Sequence, residues 1–377
     1  MVFFYRWFSV LVGLLFIGDS FAQINYDFRT GDAPFDTTKA NQLIFELDNH
    51  NFFKNNEYFG VSAEGYTLLG YLLEPSLTYY AGKRLQLKAG VSALKYHGKE
   101  TFAEVVPVLS ARLKLLPEFE MIMGSLQGNV QHQLSEPLYD TEWLYTKPVE
   151  NGLQFLYEGK KLWADVWLNW EQFIQVGDTF PEILTFGLST CSQLLKSGNG
   201  WNLTAPVQML VRHTGGQIDE GDVPMQTTVN ASLGVETSKQ TGGFLNTLTW
   251  FGSWLGYSDV TDSNALGINK GHALYTGLKS EGRKGLALLG YWDAHNFIAP
   301  KGSPLFQSVS AYDQTVVIPN RQLITGKLAY YKTFQKNIRL SVMVEGYYDL
   351  PNAQFDYAYG LHLAFTPDFT IAKIPFF

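Results

Sequence analysis

The chain has 377 residues, of which 46% are hydrophobic, 15% aromatic and 17% charged, and its formal net charge is −7. The apolar content excludes an intrinsically disordered chain, and the single cysteine excludes a disulfide-rich scaffold. The acidic balance argues against nucleic acid as a partner. Beyond the N-terminus, no apolar run is long enough for a transmembrane helix, so an aromatic-rich β protein remains.

The first 22 residues have the pattern of a secretory signal peptide. Arg6 precedes an apolar stretch from Trp7 to Gly18, and the small residues Ser20 and Ala22 fit a cleavage site. The apolar stretch is shorter than the roughly 20 residues that a membrane-spanning helix needs. We therefore predict an exported protein with a signal peptide at 1–22, an N-terminal periplasmic segment at 23–40 and a barrel domain at 41–377.

Apolar and polar residues alternate in long stretches of the mature chain. Between Ile338 and Tyr348 one parity is almost wholly apolar, while the other carries Arg339 and Glu345. These stretches are about 11 residues long, which exceeds the usual length of about 5–6 residues for a strand in a soluble protein. The length matches the roughly 9–11 residues of a tilted transmembrane strand. The same pattern recurs over residues 85–96, 162–172, 201–212 and 355–365.

The connections between these stretches alternate in length. Seven short turns alternate with eight longer segments, predicted at residues 49–69, 97–104, 126–151, 173–181, 213–226, 259–271, 293–322 and 350–353. An even strand number with short turns at one rim and long loops at the other is typical of outer-membrane barrels. We predict an all-β fold: a closed antiparallel transmembrane β-barrel of about 16 strands, with short periplasmic turns and long extracellular loops. A secreted β-propeller or sandwich is the alternative.

At this point the chain resembles Gram-negative outer-membrane β-barrels over residues 40–377. The run from Asn51 to Phe59 is similar to an uncharacterised, porin-like barrel family of Bacteroidetes-type bacteria. The resemblance implies architecture and an outer-membrane location but transfers no functional residue. Phe377 fits the terminal aromatic residue of such barrels, whereas residues 366–377 are either a tail beyond the barrel or part of a misplaced last strand.

If the apolar parity faces lipid, the polar parity lines the lumen. The charged residues then form a transverse field that orients polar solutes in a pore, or alternatively a set of ion pairs that fills the barrel. The long segments 126–151 and 293–322 are expected to fold inward as a constriction or plug. The pore-lining candidates are Glu74, Lys88, Arg112, Asp165, Glu171, Arg212, Arg339, Glu345 and Asp356.

Catalytic and metal-binding patterns are weak. The seven histidines are scattered, without metal-ligand spacing, and the chain lacks a G-x-S-x-G nucleophile elbow. We expect no enzyme, no catalytic or metal-binding residues and no cofactor. The enzymatic alternative is a group at the outer rim that includes His213, Asp219 and His295.

The predicted function is a porin-like outer-membrane channel for passive or weakly selective passage of small polar solutes. Its expected partners are outer-membrane lipid and those solutes. The alternative is a non-conducting barrel that acts as a surface-binding or envelope-assembly scaffold and contacts other envelope proteins. Bulky inward residues such as Trp163 and Trp167 would favour this alternative by filling the bore.

Overall fold

The structure is a computed structural model that describes residues 35–216, 221, 223–242, 245–261, 267–335 and 337–375. The predicted signal peptide, most of the predicted periplasmic segment and Asp219 lie outside the described residues.

Seventeen strands account for most of the described chain. None of the described helices is long and apolar enough to cross a membrane. Short 3-10 turns occur at Thr37–Lys39, Asn129–His132 and Pro304–Phe306, and a single helical turn, α1, at Trp143–Thr146. The strands are β1 (Gln42–Glu57), β2 (Thr67–Ala81), β3 (Leu85–Tyr96), β4 (Glu104–Leu116), β5 (Phe119–Ser125), β6 (Asn151–Glu158), β7 (Leu162–Gln172), β8 (Ile183–Lys196), β9 (Trp201–Thr214), β10 (Gln226–Gln240), β11 (Thr247–Asp259), β12 (Lys270–Gly282), β13 (Gly285–His295), β14 (Asn320–Phe334), β15 (Ile338–Asp349), β16 (Gln354–Phe365) and β17 (Asp368–Lys373).

The strands form one closed antiparallel sheet. Each of β1 to β15 pairs with the strand that follows it, and β16 returns to pair with β1, which closes the barrel. Closure pairs the backbone N–H and C=O groups that an open edge would leave exposed to lipid. The predicted fold class is confirmed, and the alternative of a sandwich or propeller is wrong.

The segment after Phe365 continues the last strand. Phe365 lies opposite Asn49, and Asp368 lies opposite Glu46, so β16 and β17 share one register against β1. Pro367 separates them because proline has no N–H to donate. Its carbonyl still accepts a hydrogen bond of 3.1 Å from the Leu47 N–H. Residues 368–373 therefore belong to the barrel wall and do not form a detached tail.

One predicted long connection is shorter than expected, whereas the connection at residues 350–353 has the predicted bounds. Residues 49–57, predicted as loop, form the second half of β1 and pair with both β2 and β16. Their alternation is hidden because polar side chains occupy both faces, for example Lys54 inside and Asn51 outside. Residues 350–353 form a tight turn in which Ala353 has a φ of 50°.

Two connecting segments, residues 126–150 and 296–319, fold into the barrel; we call them the plug. Their apolar side chains pack against inward residues of the wall. Trp292 on β13 meets Phe297 and Phe306 edge-on, with ring centroids 5.2 Å away in each case. The expectation that both segments fold inward is confirmed. The outward parity is apolar and exposed, as at Leu109, Leu289 and Leu328, which suits a lipid-facing surface.

Candidate functional site

Three predicted lumen residues lie in the periplasmic half of the barrel. The Lys88 ammonium is 2.8 Å from Glu74, and the Arg112 guanidinium is 2.6 Å from Glu120. Glu74, Lys88 and Arg112 line a polar cavity of about 300 Å³ that lies below the plug.

Three more predicted residues contact the plug or a neighbouring strand of the barrel wall. Asp165 is 2.7 Å from the His132 imidazole, and Glu171 forms a 3.0 Å ion pair with Lys301. Glu345 contacts the ammonium of Lys327 at 2.5 Å. Asp165 and Glu171 therefore hold the plug against the barrel wall, whereas Glu345 pairs with a lysine of the wall.

The remaining predicted residues make local contacts. Arg212 donates to the Thr214 hydroxyl at 3.0 Å, and the Arg339 guanidinium lies 4.6 Å from the centre of the Tyr331 ring. Asp356 accepts a hydrogen bond of 2.6 Å from the backbone N–H of Phe59. It therefore fixes the start of the loop that follows β1.

His132 is the centre of the most heavily bonded part of the plug. Its Nδ1 is 2.7 Å from Asp165, its Nε2 is 2.9 Å from Glu150, and its ring stacks on Trp167 at 3.6 Å. Burial alone would lower the pKa of His132, but the two carboxylates outweigh it and raise the pKa to about 9. Likewise, burial would raise the pKa of Glu150, but His132 lowers it to about 2. An imidazole with both nitrogens bound to carboxylates is a structural cation, since a general base needs an unprotonated nitrogen.

A second set of buried charges joins β1, β14 and β15, on one side of the barrel, to the plug. Lys54 on β1 contacts Glu142 of the plug at 2.7 Å and Glu345 at 3.2 Å. Lys327 on β14 contacts Glu345 and also Glu136 of the plug, the latter at 2.6 Å. The two lysine side chains are 4% and 1% exposed. Because each buried lysine has carboxylates beside it, the set ties this side of the wall to the plug.

The two plug segments also bind each other. The backbone N–H of Asp140 and the indole N–H of Trp143 donate to the carbonyl of Lys301, at 2.7 and 2.9 Å. The Lys301 ammonium lies 3.9 Å from the centre of the Trp143 ring. The plug is therefore one packed unit.

Sequence reasoning missed most of these partners. His132, Glu136, Glu142 and Glu150 fall in a predicted loop, where no periodicity indicates which side chains are buried. Lys54 lies in the part of β1 for which the sequence pattern predicts a loop. The length of the 126–151 segment was the only signal, and it indicated an inward fold but no contacts.

A cluster of polar side chains interrupts the apolar exterior of the barrel on β1 and its two neighbours. At the extracellular end, the Asn55 amide donates to Glu57 at 2.6 Å and to the Tyr359 hydroxyl at 3.0 Å, and the Thr67 hydroxyl donates to Asn55. Thr67 and Tyr359 lie directly opposite Asn55 on the two neighbouring strands, and Glu57 is two positions further along β1. We call Asn55, Glu57, Thr67 and Tyr359 the outward patch.

A polar pair follows lower on the same outward face of β1. The Asn51 amide donates to the Asn49 side chain at 2.6 Å. The pair lies below the outward patch, because Asn51 and Glu57 are six positions apart, or about 20 Å along an extended strand. Amides at this depth on a lipid-facing wall are unusual, since that wall is normally apolar.

The histidines of the enzymatic alternative lie elsewhere. His213 is 2.8 Å from the Thr227 hydroxyl, and His295 is 2.8 Å from the Asn320 side chain. His50 and His362, which face the lumen, are 3.2 Å apart and buried beside Tyr145 of the plug. The structure does not bring His213 and His295 together with a described carboxylate in one bonded group.

The fold and its contents define a class: a 16-stranded β-barrel of the outer-membrane type with a plugged lumen. Similar solved structures share this fold. Outer membrane protein OprD from Pseudomonas aeruginosa superposes with a TM-score of 0.52 at 6% identity, over 89% of this chain and 96% of that chain. An improved crystal structure of the same protein gives 0.51 at 6% identity, over 87% and 96%. At this identity the likeness establishes the fold alone.

The chain matches the family described as "Lipid A 3'-O-deacylase-type" over residues 35–374 and belongs to that family. No curated protein matches the sequence. The family is described by an enzymatic activity, so the expectation that the protein is not an enzyme is wrong. That expectation was based on the absence of a catalytic sequence motif. An active site whose residues come from separate strands has no such motif.

Proposed function

We propose that the protein is an outer-membrane hydrolase that removes an ester-linked acyl chain from a lipid A-type glycolipid at the outward patch. The family supports the class of reaction. The observation that carries the location is the bonded group of Asn55, Glu57 and Tyr359 on the lipid-facing surface, at the extracellular end of the wall. A glycolipid in the outer leaflet would present its ester groups at this level.

The bonding of the outward patch assigns a part to each side chain. Asn55 donates to both Glu57 and the Tyr359 oxygen, so it positions the two and leaves the Tyr359 O–H directed elsewhere. Glu57 would take a proton from water as the water oxygen attacks the ester carbonyl carbon. The Tyr359 O–H would donate to the oxygen that becomes negatively charged. The acyl C–O bond then breaks, the proton passes to the sugar oxygen, and a free fatty acid and a sugar hydroxyl result.

The lumen is a poorer place for this reaction. A lipid remains in the bilayer, whereas the inward histidines are buried behind the wall and the plug. His132 in addition has both ring nitrogens bound to carboxylates. The proposed site is therefore on the outside of the barrel.

The test measures release of fatty acid from lipid A by folded protein in mixed micelles, with mass spectrometry of the remaining lipid. We expect wild type to remove an acyl chain. We expect Glu57→Gln to slow the reaction about 10²–10⁴-fold through loss of the base. Tyr359→Phe should slow it about 10²-fold or more through loss of one donor to the oxyanion.

Matched variants separate the site from general damage. Glu100→Gln removes a carboxylate from an exposed extracellular loop, and Tyr348→Phe changes another outward tyrosine, on β15; both should retain wild-type rates. A folded wild type that leaves lipid A intact would overturn the proposed activity. Full activity in Glu57→Gln and Tyr359→Phe would overturn the proposed site.

A second candidate is the solute channel. The polar cavity below the plug favours it, because that half of the bore has room for small solutes. Passage would require the plug to leave the upper half, where Lys54 and Lys327 hold it. Planar-bilayer recordings of wild type should then be silent, and Lys54→Met/Lys327→Met should give stable current steps. Silence of that folded double variant would reject the channel and leave the scaffold that contacts other envelope proteins.

A further inference from the structure

The outward patch is bonded to the plug through the barrel wall. Side chains of successive residues in a strand point to opposite faces of the sheet. Asn56, which stands between Asn55 and Glu57, therefore points into the lumen, where it is buried. Tyr66 directly precedes Thr67, and its hydroxyl also reaches the plug. A single layer of backbone thus separates the outward patch from two side chains that contact the plug.

One carboxylate of the plug binds both of these side chains. Glu142 accepts a hydrogen bond of 2.8 Å from the Asn56 amide at one oxygen and a second from the Tyr66 hydroxyl at the other. The Asn56 N–H also donates to the Tyr66 carbonyl at 2.9 Å. Asn55 and Thr67 are the last opposed residues of β1 and β2. Glu142 therefore closes the extracellular end of this strand pair from inside the barrel.

The Glu142 side chain has a fixed position in the plug. Its carboxylate forms a 2.7 Å ion pair with Lys54, and its side chain is 9% exposed. The next residue, Trp143, donates its indole N–H to the Lys301 carbonyl of the other plug segment. A buried carboxylate with its hydrogen bonds satisfied is rigid. The position of the plug therefore determines where Asn56 and Tyr66 are held.

The outward patch needs this support because it lies at the end of a strand pair. Beyond Asn55, β1 pairs with β16 alone, so Glu57 has a neighbouring strand on one side only. Backbone at such ends opens more easily than backbone in the middle of a sheet. A catalytic group that is misplaced by about 1 Å can lose about 10²-fold in rate. Contacts that fix Asn56 also fix the two outward residues beside it.

We propose that Glu142 is a positioning residue for the hydrolysis: by binding Asn56 and Tyr66 from the lumen, it fixes the backbone that carries the outward patch. The inference rests on the function proposed above, because it concerns the same site. It makes turnover depend on a plug that is bound to β1, although the plug lies inside the barrel and the lipid outside.

The test measures kcat and KM for the release of fatty acid from lipid A in mixed micelles. We expect Glu142→Gln and Asn56→Ala each to lower kcat at least about tenfold with KM unchanged, because Glu57 is then misplaced. Tyr66→Phe should also lower kcat, but it should add little to Glu142→Gln, since both changes break one contact. Heat-dependent gel mobility confirms that each variant is folded.

Matched variants break other contacts between the wall and the plug. Asn230→Ala removes an amide on β10 that donates to the Ile298 carbonyl at 2.7 Å. Tyr347→Phe removes a hydroxyl on β15 that donates to Glu136 at 2.7 Å. Both variants should keep the wild-type kcat, because neither residue adjoins the outward patch. A loss of kcat in these controls equal to that in the first set would overturn the proposal, since the plug would then act only through general stability.

Backbone hydrogen exchange measures the coupling without turnover. By mass spectrometry, peptides that span residues 55–57 should exchange faster in Glu142→Gln than in wild type, and at the wild-type rate in Asn230→Ala. Unchanged exchange in Glu142→Gln would overturn the proposal.

The two proposals can fail separately. If Glu57→Gln is slow while Glu142→Gln and Asn56→Ala turn over like wild type, the inference fails and the proposed function stands. If Glu57→Gln is fully active, the proposed site fails, and the positioning role of Glu142 fails with it.

Discussion

The upper and lower halves of the lumen use buried charge in different ways. In the upper half, Lys54 and Lys327 each lie between two carboxylates, and His132 lies between Asp165 and Glu150. In the lower half, the ion pairs Lys88–Glu74 and Arg112–Glu120 join neighbouring strands of the wall and border a polar cavity. Charges that bond to the plug close the bore, whereas charges that pair within the wall leave room for a cavity.

The lumen and the exterior of the barrel also differ in what a polar side chain indicates. Polar side chains inside the barrel need no functional explanation, since the lumen of such barrels is polar in any case. The outward patch does need one, because Asn55 and Glu57 lie on an outer surface that is apolar over most of the barrel. A polar group is most informative where its surroundings do not account for it.

Removal of a compensating charge in the upper half should have the largest effect. Lys327→Met leaves Glu136 and Glu345 buried without their shared ammonium, and we expect a loss of about 3–5 kcal/mol in unfolding free energy. Urea unfolding in lipid vesicles, followed by tryptophan fluorescence, measures it. Lys284→Met, at an exposed turn, should change the free energy by less than about 1 kcal/mol. Equal losses in the two variants would contradict the structural part assigned to the upper half.

The pH dependence of the plug should be somewhat smaller. The pKa of His132 is raised from 6.5 to about 9, so its stabilisation is complete below 6.5 and is lost as the pH rises through about 9. The pKa of Glu150 is lowered from 4.5 to about 2, so its stabilisation is complete above 4.5 and is lost as the pH falls through about 2. Raising the pH from 6.5 to 10 should cost on the order of 3 kcal/mol.

A neutral substitute isolates this effect from other titrating groups. His132→Gln cannot titrate, so the difference in unfolding free energy between it and wild type should shrink as the pH rises from 6.5 to 10. A difference that stays constant over this range would show that His132 is not a buried cation.

Much of the fold was predictable because it depends on local patterns. Alternation from Ile338 to Tyr348 and the long and short connections were enough for a barrel of about 16 strands. The second half of β1 was missed because its polar outward residues removed the contrast between faces. The last strand was uncertain because Pro367 interrupts it, although the register on both sides is the same.

The candidate sites depend on contacts between distant residues. Glu57 and Tyr359 are brought together only by closure of the barrel between β1 and β16. The partner of Asp165, His132, comes from a loop without periodicity, and the partners of Glu345 come from β1 and β14. The position of a residue in the alternating pattern therefore shows that its side chain faces the lumen, but it does not show which residue of opposite charge lies beside it.

The smallest expected effect sharpens the comparison most. Lys88→Met removes the ammonium that lies 2.8 Å from Glu74 in the lower half, where both side chains line the cavity. Because Lys88 is 21% exposed, we expect a loss of about 1 kcal/mol in unfolding free energy, which is smaller than the loss in Lys327→Met. Urea unfolding of the two variants side by side measures the difference. A loss in Lys88→Met as large as that in Lys327→Met would mean that the charges of both halves hold the barrel together equally, and the contrast between the two halves would no longer hold.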